Sequence, residues 1–125
     1  MNLNQLTILV KDVERSIRFY EELGLRLIVK SLPHYARFEC PEGETTFSLH
    51  LADEPVTNKG TWIYFENNDL DETVYQLISK GFVFEEMPED KTWLWREARL
   101  RDPDHYLIIL FYAGANRKNP PWRIG

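Results

Sequence analysis

The residues best suited to chemistry lie in one short segment, Thr92 to Leu100, in which two Trp, a Glu and an Arg occupy alternate positions. Successive side chains of a strand point to opposite faces, so these alternate residues are predicted to share one face. They are Trp93, Trp95, Glu97 and Arg99. An indole can stack on a planar or apolar ligand while the charged groups anchor its polar atoms. The alternative is a structural ion pair between Glu97 and Arg99, with the Trp residues covering the core.

Glu97 is the candidate catalytic residue of this segment. A carboxylate beside a ligand can act as a general base, and Glu97 is the carboxylate predicted to lie near the ligand.

The elements that position this segment follow from a pattern that occurs twice. Asp12 stands twelve residues before Gly24, and Asp69 stands twelve residues before Gly81, so an offset of 57 residues superimposes both pairs. Asp is favoured at helix N-caps and Gly at helix ends, and apolar residues recur at helical spacing between them. Each copy therefore predicts a strand followed by an amphipathic helix. In the second copy, Glu72 is predicted to complete a capping box with Asp69.

Three more strands are predicted after each helix. They cover residues 25–31, 36–40 and 45–51 in the first copy and 82–85, 93–100 and 106–112 in the second. The predicted fold class is α+β, with two tandem βαβββ repeats whose curved mixed sheets enclose a cavity. The predicted organisation is a single domain, built from repeat 1 (1–57), repeat 2 (58–117) and a C-terminal tail (118–125).

Composition restricts the class of protein. A length of 125 residues is typical of one domain, and a formal net charge of −5 disfavours nucleic acid, because phosphate binding needs a basic surface. The sequence shows neither a signal peptide nor an apolar run long enough to span a bilayer, so no membrane association is expected. Cys40 is the only cysteine, which excludes an intrachain disulfide and agrees with the expected cytoplasmic location.

Two motifs accompany the duplication. The first runs from Leu6 to Ser16 (LTILVKDVERS) and continues into Phe19-Tyr20 and Leu23-Gly24-Leu25. The second is Arg101-Asp102-Pro103-Asp104, before a final apolar strand. Together with the duplication, these motifs resemble the vicinal oxygen chelate superfamily, which includes glyoxalase I, extradiol dioxygenases, and the fosfomycin and bleomycin resistance proteins. The resemblance covers nearly the whole chain.

The resemblance implies a divalent metal that is held by His, Gln or Glu side chains and grips two adjacent substrate oxygens as a Lewis acid. Gln5 stands at the first ligand position, but its counterpart is Trp62, and the expected carboxylate would fall at or beside Ile109. Only Gln5 and His50 remain, and two neutral ligands rarely hold a divalent metal against water. We therefore predict no metal cofactor. The alternative is a divalent metal held by Gln5, His50 and Glu97.

The candidate ligand-binding residues combine these positions with their strand neighbours. Structural interpretations stay open for several of them: Gln5 as a solvated polar residue, His50 as a hydrogen-bonded imidazole and Trp62 as ordinary packing. The full predicted set is Gln5, Thr7, His50, Trp62, Tyr64, Trp95, Glu97, Arg99 and Ile109.

Three functions are left open. Loss of the metal positions favours a glyoxalase or bleomycin resistance-like protein that binds a small, partly aromatic or apolar molecule without a metal. The second is a lyase, isomerase or dioxygenase of the superfamily, with an altered metal site or with Glu97 as base. The third is a non-catalytic interaction module whose cavity is filled by its own aromatics. The resemblance also implies a homodimer, because single-domain members often need a second chain to complete their cavities.

Overall fold

The computed structural model describes all 125 residues, which cluster into two compact units. The first unit contains Met1–Asn58 together with Asp102–Asp104, and the second contains Lys59–Arg101 and His105–Gly125. No helix combines the length and apolar character needed to cross a bilayer. The single domain and the enclosed cavity stay predictions.

The first unit has one helix and a four-stranded sheet. Its strand order is β1-β4-β3-β2, with β1 parallel to β4 and the other neighbours antiparallel. The elements are β1 (Gln5–Val10), α1 (Val13–Leu23), β2 (Arg26–Ser31), β3 (Tyr35–Glu39) and β4 (Thr46–Leu51).

The second unit repeats this design. Its strand order is β5-β8-β7-β6, again with the first pair parallel. The elements are β5 (Trp62–Glu66), α2 (Leu70–Ser79), β6 (Phe84–Asp90), β7 (Arg96–Arg101) and β8 (Leu107–Tyr112). The predicted α+β class and the two βαβββ repeats with mixed sheets are therefore confirmed.

The two helices begin differently. The side chain of Asp12 accepts a hydrogen bond from the first turn of α1, and Gly24 ends that helix with a φ of 122°. Asp69 makes no such side-chain bond at the start of α2. Instead, Asn67 Oδ1 accepts a hydrogen bond of 2.7 Å from the Asp69 amide. The predicted capping box of Asp69 and Glu72 is wrong, because Asn67 accepts the hydrogen bond from the Asp69 amide that Glu72 would accept in a capping box.

Each helix covers one face of its sheet. Tyr20 of α1 is fully buried, and its ring centroid lies 4.8 Å from that of Phe47 on β4. Val74 of α2 is also fully buried. On the sheet that α2 covers, Leu100 and Ile108 are at most 1 % exposed. Side chains alternate along each strand, so the residues between these core positions lie on the opposite face of the sheet.

The predicted strand 93–100 starts later than expected. Residues before β7 form a turn in which Leu94 has a φ of 68° and its amide donates a 3.0 Å hydrogen bond to the Lys91 carbonyl. The left-handed conformation of Leu94 reverses the chain, so Trp93 lies in the turn and does not continue the alternation of the strand. The predicted start of this strand at Trp93 is wrong, whereas Trp95, which packs on Phe111, lies on the same face as Glu97 and Arg99.

Candidate ligand-binding faces of the two sheets

The second sheet carries an aromatic cluster on the face opposite α2, formed by Tyr64, Trp95 and Phe111. Trp95 stacks on Phe111 with ring centroids 4.7 Å apart and planes at 19°, and Tyr64 meets both rings edge-on at 6.0 and 5.6 Å. Trp62, two residues before Tyr64 on β5, is 60 % exposed, and Tyr64 is 40 % exposed. This face therefore presents two accessible aromatic side chains beside a stacked aromatic pair.

Ile109 lies beneath this face and is fully buried. It pairs with Tyr64 across β5 and β8, and Leu107 pairs in the same way with Trp62. Ile109, Leu107 and Phe111 belong to one apolar cluster against which Trp95 packs. The positions where the resemblance places metal ligands in this repeat, Trp62 and Ile109, thus offer no oxygen or nitrogen that can coordinate a metal ion.

Glu97 is the buried anion of this face, with 1 % exposure. Its Oε1 lies 3.3 Å from Arg99 Nη2, and its Oε2 accepts a 2.7 Å hydrogen bond from the indole of Trp93. The turn at Leu94 brings Trp93 back onto the carboxylate. Both carboxylate oxygens are engaged, so the ion pair of the structural interpretation is present, and the role of Glu97 as general base stays a prediction.

Glu97 is the first member of a chain of ion pairs that continues through Arg99 and Glu86 to Lys91. Arg99 Nε lies 3.6 Å from Glu86 Oε2, and Lys91 forms an ion pair with the other oxygen of Glu86. The hydrogen bond from Lys91 lowers the pKa of Glu86 against the opposing effect of its desolvation. Arg99 therefore already has two carboxylate neighbours.

The environment of Tyr64 disfavours ionisation of its phenol. Burial raises the pKa of Tyr64, the negative charge of Glu97 raises it further, and Arg99 opposes the rise. At neutral pH the phenol keeps its proton, so Tyr64 can donate a hydrogen bond to a ligand as well as present its ring.

The first sheet carries a polar row on the face opposite α1. Gln5 Nε2 donates to Ser48 Oγ at 2.9 Å, and a 2.7 Å hydrogen bond joins Ser48 Oγ to the Tyr35 hydroxyl. Arg37 Nε donates to the same Tyr35 hydroxyl at 3.0 Å, and Gln5 Nε2 also lies 3.1 Å from Thr7 Oγ1. Gln5 and Thr7 are thus parts of a connected network.

The structure does not bring Gln5 and His50 together as metal ligands. Gln5 pairs with Thr46 and His50 with Leu9, four positions further along the same pair of strands, which is about 13 Å. Gln5 Oε1 accepts a hydrogen bond from Thr46 Oγ1, and His50 Nδ1 lies 2.9 Å from its neighbouring carbonyl. No group of three His, Cys, Asp or Glu side chains in the chain is placed to hold a metal ion.

Sequence reasoning missed Tyr35 and Arg37. A signal was available, because they alternate with Ala36 and Phe38, which are fully buried, along a single strand. That alternation places Tyr35 and Arg37 on the polar face. It does not reveal their bond to each other or to Ser48, which lies on the next strand.

Sequence reasoning also missed the structural role of the Asp-Pro-Asp turn. Asp104 is 4 % exposed and accepts hydrogen bonds from the Lys11 amide at 3.2 Å, the Arg15 guanidinium at 3.4 Å and the Ser16 hydroxyl at 3.5 Å. Asp102 accepts a 2.6 Å bond from the Tyr20 hydroxyl. The turn therefore anchors α1 rather than serving only to reverse the chain.

Tyr35 should ionise below the ordinary tyrosine pKa of 10.0. Burial acts to raise the pKa, but hydrogen bonds with Ser48 and Arg37 and the charge of Arg37 outweigh burial and lower it. The folded chain therefore binds this proton more weakly than the unfolded chain does. Ionisation of Tyr35 adds to the stability of the fold as the pH rises towards 10.0, and this contribution is lost as the pH falls through the folded pKa.

An ultraviolet absorbance titration of tyrosinate checks this expectation. The Tyr35→Phe variant should lack the earliest ionisation step of the wild type, whereas Tyr64→Phe should lack a late one. Loss of a step above the ordinary tyrosine pKa in Tyr35→Phe would contradict it.

Comparison with known proteins identifies the family. Residues 2–110 match the family model of the Glyoxalase/Bleomycin resistance protein/Dioxygenase superfamily. The chain belongs to this superfamily. Its similarity to the vicinal oxygen chelate proteins, expected from the duplication and the two motifs, is thereby confirmed.

Two relatives from Bacillus subtilis match most of the chain. The uncharacterized protein YraH of Bacillus subtilis is 33 % identical, over 89 % of this chain and 98 % of its own length. A probable trivalent organoarsenical cleaving enzyme of the same organism is 30 % identical, over 86 % of this chain and 77 % of its own.

A solved structure gives the same fold. The crystal structure of a glyoxalase/bleomycin resistance protein/dioxygenase from Nocardioides superimposes with a TM-score of 0.79 at 20 % identity, covering 100 % of this chain and 90 % of that one. At that identity the likeness supports the fold alone.

Proposed function

We propose that this glyoxalase/bleomycin resistance-like protein binds a small, partly aromatic or apolar molecule without a metal ion. The observation that carries the proposal is the aromatic face of the second sheet, where Trp62 and Tyr64 are 60 % and 40 % exposed beside the stacked pair of Trp95 and Phe111. Large aromatic side chains are costly to leave in water, and pre-positioned rings stack on planar ligands with little loss of conformational freedom.

The polar groups of this face can orient a bound ligand. The phenol of Tyr64 is protonated at neutral pH, as an ordinary tyrosine is, so its hydroxyl can donate a hydrogen bond to a ligand. Glu97 and Arg99 lie beside it as a preformed ion pair 3.3 Å apart. A mainly apolar site with a few fixed polar groups is typical of small-molecule binding.

Metal independence is supported by the chemistry of the positions where the family holds its ion. Trp62 and Ile109 cannot ligate a divalent cation, and the amide oxygen of Gln5 already accepts a hydrogen bond from Thr46. These residues do not fit a divalent metal ion.

Cleavage of organoarsenicals is not proposed for this chain. Trivalent arsenic is a soft centre that thiolates bind best, and the chain has one cysteine, Cys40. Burial raises the pKa of that thiol, which keeps it protonated and weakens it as a ligand.

Binding can be tested with 2-naphthol as a neutral aromatic probe, followed by calorimetry and by the indole N–H signals in NMR spectra. The Trp62→Ala variant should bind the probe at least about fivefold more weakly, because loss of one stacked aromatic contact is worth about 1 kcal/mol or more. Trp122→Ala is the matched control, since Trp122 is similarly exposed, at 57 %, but lies in the C-terminal tail. Equal loss in both variants would contradict the proposal.

Elemental analysis of the purified protein tests the metal-free part. We expect substoichiometric Zn, Mn, Ni and Fe, and probe binding that is unchanged after treatment with a chelator. Stoichiometric metal that disappears in a Gln5→Ala, His50→Ala double variant would refute metal independence.

A further inference from the structure

The two repeats carry an arginine at equivalent places in their sheets. In the first sheet Thr7, Ser48 and Arg37 form one row across β1, β4 and β3. In the second sheet the corresponding row across β5, β8 and β7 consists of Tyr64, Ile109 and Arg99. Arg37 and Arg99 therefore occupy the same register position on the face opposite the helix of their own unit.

The second-repeat arginine is neutralised within the chain. Arg99 Nη2 lies 3.3 Å from Glu97, and Arg99 Nε lies 3.6 Å from Glu86. Glu97 pairs with Phe111, and the equivalent residue of the first repeat, which pairs with His50, is Tyr35. The first repeat thus has a neutral phenol where the second has a carboxylate.

Arg37 consequently has no carboxylate partner. Its Nε donates to the Tyr35 hydroxyl at 3.0 Å, and its guanidinium carbon lies 5.6 Å from the centroid of the same ring. Glu39, the next acidic residue on this face, is bound 2.9 Å from Arg26. The Arg37 side chain donates its hydrogen bond within the chain from Nε, and its terminal nitrogens are neither paired nor buried, so they are open to solvent or to a ligand.

The surroundings of Arg37 favour negative charge. Its charge and its hydrogen bond help to lower the pKa of Tyr35 although burial of the phenol acts in the opposite direction. Ser48 is fully buried, and its hydroxyl is held between Gln5 at 2.9 Å and Tyr35 at 2.7 Å. The guanidinium is therefore oriented by a network that is fixed before any ligand arrives.

We propose that the polar row of the first sheet binds a small oxyanion, the carboxylate or phosphate group of an organic molecule, on the guanidinium of Arg37, with the hydroxyls of Tyr35 and Ser48 beside it. Guanidinium groups bind such anions through paired, charge-assisted hydrogen bonds. Arg37 keeps the two terminal nitrogens that this geometry uses. This site lies in the first unit and does not rest on the function proposed for the aromatic face.

Side-chain NMR tests the site with two probes, benzoate and inorganic phosphate, each titrated separately at constant ionic strength. We expect a saturable shift of the Arg37 Nε–H signal in wild-type protein with at least one probe, and the tighter probe identifies the class of anion. Arg37→Gln should weaken binding about tenfold or more, because the charge-assisted hydrogen bonds to the guanidinium are lost. The affinity of Arg37→Lys for the anion should lie between those of the wild type and Arg37→Gln.

The sharpest variant is Tyr35→Glu, which copies Glu97 of the second repeat into the first. Its carboxylate should pair with Arg37 and abolish anion binding while the chain remains folded by circular dichroism. Arg26→Gln is the matched control, because Arg26 is already paired with Glu39, and should bind as the wild type does.

A shift of Arg37 that does not saturate with either probe would overturn the proposal, as would undiminished binding in Arg37→Gln or Tyr35→Glu. Trp62→Ala should leave benzoate and phosphate binding at Arg37 unchanged, and 2-naphthol carries no charge at neutral pH. Failure at Arg37 is therefore distinguishable from failure at the aromatic face.

Discussion

Replacing Glu97 with alanine should lower the free energy of unfolding by about 2 to 4 kcal/mol. Removal of one partner of a buried ion pair leaves the other charge uncompensated, which costs about 3 to 5 kcal/mol when both groups are fully buried. Glu97 is 1 % exposed, but the side chain of Arg99 is 27 % exposed and keeps Glu86 at 3.6 Å, so the loss should be smaller. The indole of Trp93 also loses its 2.7 Å acceptor.

Urea denaturation of wild type and variants measures this loss. Glu97→Gln keeps the volume and an acceptor for Trp93 and loses only the charge, so its stability should lie between those of the wild type and Glu97→Ala. Glu89→Ala is the charge-matched control, because Glu89 has 65 % of its side chain exposed and lies 3.8 Å from Lys91, and it should change stability by about 0.5 kcal/mol or less. A Glu97→Ala variant as stable as Glu89→Ala would show that the buried pair contributes nothing.

Asp104→Ala should cost about 2 to 3 kcal/mol, the second-largest effect that we expect. The substitution leaves the Lys11 amide, the Arg15 guanidinium and the Ser16 hydroxyl without their shared acceptor. Unsatisfied buried donors cost about 1 to 3 kcal/mol each, and partial access of water to Arg15, which is 41 % exposed, reduces the total. Asp104 also places negative charge near the start of α1, which favours the helix dipole.

The same denaturation measurement applies to Asp104. Asp104→Asn retains one carbonyl acceptor and should lose about half as much stability. Asp90→Ala removes an aspartate whose side chain is 85 % exposed although it lies 3.0 Å from Arg96, so it should fall within about 0.5 kcal/mol of wild type. Equal stabilities for Asp104→Ala and Asp90→Ala would mean that the turn does not anchor α1.

Much of the fold was predictable because the signals are local. The cap of Asp12 and the helix end at Gly24 act over three or four residues, and both are found as predicted. The start of α2 was harder, because Asn67 and Asp69 both have side chains that can cap and lie two residues apart. The choice between them depends on backbone angles that residue type does not determine.

The turn before β7 shows a different limit. Nothing in the types of Lys91, Trp93 or Leu94 signals a left-handed residue, which Gly or Asn would have suggested. Strict alternation was therefore extended through Trp93. The structure nevertheless brings Trp93 to Glu97, by a hydrogen bond across the turn rather than by a shared strand face.

By itself, the sequence determined the duplication, the order of the elements and the faces on which Trp62, Tyr64 and Ile109 lie, because periods of 2 and 3.6 residues are properties of a single segment. Only the tertiary structure decided which charges are compensated. Arg99 finds Glu86 on the neighbouring strand, while Arg37 finds the Tyr35 phenol and no carboxylate. The contact between Arg99 and Glu86 depends on the register between β6 and β7, and a one-residue change of register would turn every side chain of a strand to the other face.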